Sequence, residues 1–200
     1  MISKLKAIEI QTISRCNSGC IVCPWSQIKK SVPNQSINND TWCKVLEGIN
    51  DLHPDELIPY MNNEPLLDRE IASHIHDLRS LSPRSFIEFS TNGLLLTEES
   101  SHFLVNNVDI ILISLFGSDE ASNLWLMGKG MSYNKVKNNI LSLKKIRDDC
   151  GSKCDINVVK IINYPLIAND TILQDWIFWE DEGINTRYYN FVDRSTNVGD

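Results

Sequence analysis

Three cysteines fall within eight residues as Cys16-x3-Cys20-x2-Cys23, while Cys43, Cys150 and Cys154 are scattered. Thiolates are soft ligands that suit zinc or iron–sulfur clusters. A structural zinc site uses four ligands, usually as two separated pairs. The nearest candidates for a fourth, Cys43 and His53, stand without motif spacing. Three thiolates from one tight loop instead suit a cubane [4Fe–4S] cluster with one iron left open to a substrate or cofactor, with zinc as the alternative. The opening residues Met1-Ile-Ser-Lys-Leu-Lys-Ala carry no apolar signal core. The expectation is a cytoplasmic protein in a reducing compartment, where clustered thiols bind metal more often than they pair.

These residues need a scaffold, and the hydrophobic pattern supplies one. Residues 7–13, 57–61, 86–90, 109–114, 156–162 and 186–192 read as strands, rich in β-branched and aromatic side chains. Helical periodicities lie between them. Trp42, Val45, Leu46, Ile49 and Leu52 form one stripe, capped by Asn39 or Asp40. Ile71, Ile75, Leu78 and Leu81 form a second, and a short helix starts at Thr97. Val136, Ile140, Leu143 and Ile146 mark a fourth helix, and Leu173, Trp176 and Ile177 a fifth that ends by Gly183. Strand–helix alternation at this spacing predicts an α/β fold with a parallel sheet, open or rolled into a barrel. Reactive groups in such folds collect beyond the carboxyl ends of the strands. Four consecutive strands here run into the cysteines, Asn62-Asn63-Glu64-Pro65, Thr91-Asn92-Gly93 and Ser114. One large site is expected on that face.

Composition narrows the classes. The chain has 200 residues, 42 % hydrophobic and 22 % charged, enough for one domain with a sizeable core. The longest strictly aliphatic stretch, residues 110–113, is far below the roughly 20 residues of a membrane helix. A net charge of −7 argues against nucleic acid as the main partner.

The ordered segments resemble the radical S-adenosylmethionine (radical SAM) enzymes. Ile8-Glu-Ile-Gln-Thr-Ile-Ser-Arg-Cys16-Asn17-Ser-Gly-Cys20-Ile-Val-Cys23-Pro24 is similar to that family's first strand and cluster loop. Tyr60-Met-Asn62-Asn63-Glu64-Pro65-Leu66-Leu67 resembles its glycine-glycine-glutamate segment. Phe89-Ser-Thr91-Asn92-Gly93 and Ile113-Ser114-Leu115-Phe116-Gly117 resemble the ends of its third and fourth strands. The resemblance implies a partial (β/α)6 TIM-like barrel of parallel strands ending at strand six, over residues 1–200 as a single core domain. It also implies two cofactors, a [4Fe–4S] cluster on Cys16, Cys20 and Cys23, and SAM chelating the fourth iron. One electron from an external flavodoxin- or ferredoxin-like reductant would then cleave SAM to methionine and a 5′-deoxyadenosyl radical. That radical would abstract hydrogen from a peptide or small-molecule substrate.

Carried over residue by residue, Asn62, Asn63 and Glu64 match the segment that accepts hydrogen bonds from the methionine amine. Ser114 matches a ribose-contacting position, and Thr91 and Asn92 join the same pocket. Val22 stands where the family often has an aromatic residue near the adenine. Asn62 and Asn63 replace two glycines, and asparagine tolerates left-handed backbone better than most residues. Met127 occupies a position where relatives often carry an arginine for the SAM carboxylate, a role that would move to Lys129. Cys150 and Cys154 are expected at the opposite end of the strands, too few for an auxiliary cluster. Residues 193–197 resemble the run that leads, in the peptide- and protein-modifying branch, into a cysteine-rich carboxyl-terminal extension. The chain is therefore expected to lack its final helix and that extension. The competing reading is a non-catalytic zinc- or cluster-bearing binding module.

Overall fold

Residues 5–164 and 169–192 are described by a computed structural model. Its six strands are β1 (Ala7–Glu9), β2 (Glu56–Ile58), β3 (Phe86–Thr91), β4 (Ile110–Ser114), β5 (Asp155–Ile162) and β6 (Asn185–Asn190). Each pairs in parallel with the next, giving one sheet in chain order. Parallel neighbours require crossovers, and the connections supply helices. These are α1 (Trp25–Ile28), α2 (Asn39–Leu52), α3 (Ile71–Leu81), α4 (Glu98–Asn107), α5 (Glu120–Met127), α6 (Tyr133–Asp149) and α7 (Asn169–Asp181). The result is the expected partial barrel. Among the described residues β1 and β6 are not paired with each other, and no helix is long and apolar enough to cross a membrane.

Strand alternation divides the core in two. Ile87, Phe89, Ile111 and Ile113 are fully enclosed against the helices, together with Ile75, Leu78, Val136, Ile140 and Leu143. On the inner face Ile110, Leu112 and Val159 form a separate small cluster with Phe116 packed on it. The inner face is thus only thinly apolar, which leaves room for a site.

Several boundaries differ from the sequence reading. The second strand stops at Ile58 because Pro59 has no N–H to extend the ladder. The first strand shortens with it. Beyond Glu9 the chain stays extended but turns to residues 35–37, with Ile37 N–H donating to Thr12 O at 2.7 Å and Ile13 bridging Ser36. The cap of α2 is Asn38 rather than Asn39 or Asp40; its side chain accepts from Thr41 N–H. Two helices, α1 and α5, have no counterpart in the predicted elements.

The fifth predicted helix exists as α7, but its expected inner stripe faces outward. Leu173, Trp176 and Ile177 are all exposed, whereas Trp179 and Asp175 are buried. The reason is a charge pair. Lys160, fully buried on the helix side of β5, places its Nζ 2.8 Å from Asp175 Oδ2 and 2.8 Å from the carbonyl of Gly117. Asp175 also accepts from the Tyr133 hydroxyl and from Trp179 Nε1 at 3.0 Å. Satisfying a buried ammonium takes precedence over burying the aliphatic stripe.

Candidate active site

The cysteine loop begins where β1 releases the chain, and two separate parts of the fold hold it. Gly19 N–H donates to Met127 O at 2.9 Å and Ile21 N–H to Leu126 O at 2.9 Å, so the last turn of α5 flanks Cys20 on both sides. The approach is close. A Cβ on Gly128, whose φ is +88°, would stand 3.2 Å from Gly19 backbone. At the other end of α5, a Cβ on Gly117 would collide with Asn123 N at 2.2 Å.

Ser18 sits between the first two cysteines. Its N–H donates to Cys16 Sγ at 3.4 Å, and its hydroxyl lies 2.9 Å from Cys20 Sγ and donates to Met127 O at 2.8 Å. Burial pushes the Cys16 thiol up to about 11 against the opposing Ser18 N–H, with the charge of Glu64 adding to the rise. Burial likewise pushes Cys20 up to about 12, while the Ser18 hydroxyl pulls down. All six cysteines are free thiols.

Glu64 lies at the other side of the site and is only 1 % exposed. Its Oε1 accepts from the Thr91 hydroxyl at 2.6 Å and from Leu66 N–H at 3.1 Å; its Oε2 accepts from Asn92 N–H at 2.7 Å. Burial pushes its carboxyl upward, opposed by these three donors. Asn92 in turn donates Nδ2–H to Asn17 Oδ1 at 2.6 Å, and Glu64 N–H donates to Arg15 O at 2.8 Å. Asn62 N–H donates to Gln11 Oε1 at 3.1 Å, and Asn63 Oδ1 accepts from Met61 N–H at 2.9 Å. Asn63 Nδ2 is buried with no partner among the described residues. Neither asparagine needs left-handed backbone. Outside glycine, positive φ occurs among the described residues only at His53 and Asn163.

These groups line one cavity of about 640 Å³ at the carboxyl ends of the strands. The structure brings together there Cys16, Cys20, Cys23, Val22, Asn62, Asn63, Glu64, Thr91, Asn92 and Ser114. Lys129 is the exception: it is exposed and does not line the cavity. Among the described residues the lining contains no lysine or arginine, and Glu64 is its single acid. The opposite wall is Val159, Ile161, Tyr189, Asn190 and Val192. Sequence reasoning gave no role to Ser18, which the short spacing between two cysteines could have flagged, nor to Tyr60. The Tyr60 ring lines the cavity and its hydroxyl donates to Glu88 Oε1.

Three loop thiols facing one cavity, with the Ser18 N–H on Cys16 Sγ and its hydroxyl beside Cys20 Sγ, fit a cubane cluster. In such a cluster each thiolate would hold a different iron, and the three sulfurs need not converge on one ion. The leftover groups are remote from this chemistry. Cys150, exposed, lies 3.5 Å from His102 Nδ1, and Cys154 is buried at the amino end of β5. His74 is buried 3.3 Å from Asp68 and against the Trp42 ring, while His76 is exposed.

The radical SAM superfamily model matches residues 10–163, and the chain belongs to that family. The similarity extends to solved structures. Native anSMEcpe with bound AdoMet superimposes with a TM-score of 0.71 at 16 % identity, over 94 % of this chain and 52 % of that one. Methylornithine synthase (PylB) gives 0.68 at 8 % identity, over 97 % and 56 %. BtrN in complex with AdoMet and 2-DOIA gives 0.50 at 22 % identity, over 57 % and 47 %. At these identities the likeness concerns the fold, and the chain spans about half the length of these solved relatives. No curated protein matches it.

Proposed function

We propose that this chain is the catalytic core of a radical SAM enzyme that removes a hydrogen atom from an uncharged part of a peptide or small-molecule substrate. The observation that carries this reading is the shared cavity, which the three loop sulfurs, Glu64, Asn62, Asn63 and Ser114 all line. Cys16, Cys20 and Cys23 would hold a [4Fe–4S] cluster. The chemistry that cluster and SAM supply when bound is reductive cleavage to methionine and a 5′-deoxyadenosyl radical. The electron comes from an external flavodoxin- or ferredoxin-like donor.

The protein's own part is placement. Asn62, Asn63 and Glu64 present acceptors for the methionine ammonium, and the lone Nδ2 of Asn63 is a donor for an acceptor on the ligand. Thr91 and Asn92 set the position of Glu64. Ser114, at the end of β4, offers a hydroxyl to the ribose, and Val22 an aliphatic surface to the adenine. Among the described residues the lining holds no lysine or arginine, and neutral donors there would receive the SAM carboxylate. Substrate would enter against Val159, Ile161 and Tyr189, a wall without charge. The peptide alternative draws support from a solved relative, anSMEcpe, described with bound AdoMet and the Cp18Cys peptide.

Anaerobic reconstitution with iron and sulfide, dithionite reduction and electron paramagnetic resonance with and without SAM test the reading. A reduced-cluster signal that shifts on adding SAM is expected. A chain that takes up zinc in place of iron, or a signal indifferent to SAM, refutes it in favour of a binding module.

A further inference from the structure

The cysteine loop has a second anchor besides α5. Its hydrogen bonds bracket Cys16 as those of α5 bracket Cys20. Arg15 O, immediately before Cys16, accepts from Glu64 N–H, and Asn17 Oδ1, immediately after it, accepts from Asn92 Nδ2 at 2.6 Å. Asn92 is not free to turn. Its Oδ1 accepts from Leu94 N–H at 3.1 Å, which forces the amide nitrogen toward Asn17. Its backbone N–H is held by Glu64 Oε2 at 2.7 Å. Asn92 is also buried, so water does not compete for the amide.

We propose that Asn92 is a positioning residue for the first cluster ligand: clamped by Glu64, its side-chain amide fixes Asn17 and thereby the backbone that carries Cys16. The inference rests on the functional reading above. It separates Asn92 from the groups that touch cofactor and makes Glu64 the common support of the cavity wall and the loop. The polarity of the bond gives an asymmetric test. Asn17→Asp keeps an acceptor facing the Asn92 amide. Asn92→Asp removes the donor and sets a carboxylate against the Asn17 carbonyl. Asn92→Ala removes the contact altogether.

Two measurements read the clamp. In the protein without cluster, hydrogen exchange of the segment 15–18 should quicken about tenfold in Asn92→Ala, on the scale of one lost buried hydrogen bond. The segment 19–22, held by α5, should keep its wild-type rate. In reconstituted protein without SAM, chelator-driven iron loss should be about tenfold faster in Asn92→Ala and Asn92→Asp and within about twofold of wild type in Asn17→Asp. Equal exchange in both segments, or iron loss from Asn17→Asp as fast as from Asn92→Asp, overturns the proposal. A wild-type chain that assembles no cluster refutes the functional reading instead, and the exchange experiment still decides whether the clamp exists.

Discussion

Replacing Asp175 by alanine removes the counter-charge of an ammonium that has no access to water. In the native chain Lys160 Nζ has Asp175 Oδ2 at 2.8 Å and Gly117 O at 2.8 Å, and burial brings its pKa from 10.5 down to about 8 even with the carboxylate beside it. Without the carboxylate two outcomes compete. Keeping the charge buried and unpaired costs about 3–5 kcal/mol, as in other broken buried pairs. Releasing the proton at pH 7 from a group of ordinary value 10.5 costs about 5 kcal/mol, at 1.36 kcal/mol per pH unit. A loss of about 3–5 kcal/mol in urea unfolding followed by circular dichroism is expected at pH 7. The pH dependence distinguishes them. A variant that releases the proton has Lys160 neutral when folded and protonated when unfolded, so its stability rises by about 1.4 kcal/mol per pH unit; one that keeps the charge shows no such rise. In the wild type the folded lysine keeps most of its proton until the pH nears 8, and over pH 7–8 this group contributes only a shallow slope. With the proton released, the stability gap should therefore narrow by about 1 kcal/mol between pH 7 and 8. The double variant Lys160→Met, Asp175→Leu should recover most of the loss. A loss under about 1 kcal/mol at pH 7, or a double variant as weak as the single one, would refute the argument.

Other perturbations probe the site and the corrected helix. Glu64→Gln puts an amide where Oε2 or Oε1 now accepts, leaving a buried donor without its carboxylate; about 1–3 kcal/mol of chemical stability should be lost, together with SAM affinity measured by calorimetry. Gly128→Ala forces a methyl toward Gly19 in a left-handed backbone, and the iron content after reconstitution should fall sharply while the circular dichroism spectrum stays α/β. Trp176→Lys, on the exposed face of α7, should change stability by under about 0.5 kcal/mol, whereas Trp179→Ala should cost about 3–5 kcal/mol. Equal effects from the two tryptophans in urea titrations would restore the orientation read from the apolar stripe.

Much of the scaffold was legible because β-branched runs separate cleanly from helical stripes. Residues 136–146 are an instance: Val136, Ile140 and Leu143 are all enclosed in α6. Helix α5 was illegible, since its apolar side chains form the consecutive block Leu124-Trp125-Leu126-Met127 and its start depends on the Asp119–Ser122 capping box. The orientation of α7 was hidden by a polar core residue, because periodicity cannot anticipate that Asp175 will pair with Lys160 from another element. The candidate residues were picked from motif order, and all but Lys129 line the cavity. What sequence could not supply was the division of labour: Glu64 and Asn92 face one another before they face anything bound, a relation that depends on loops 28 residues apart meeting in space.

The grip of α5 on the loop runs through the carbonyls of Leu126 and Met127. A fastening made of main chain is indifferent to the identity of the side chains that carry it. Position 127 holds the loop through its carbonyl, while its side chain is enclosed in the core and faces the cavity wall. In this chain the cysteine loop is fastened by main chain, and the neighbouring wall takes its character from side chains.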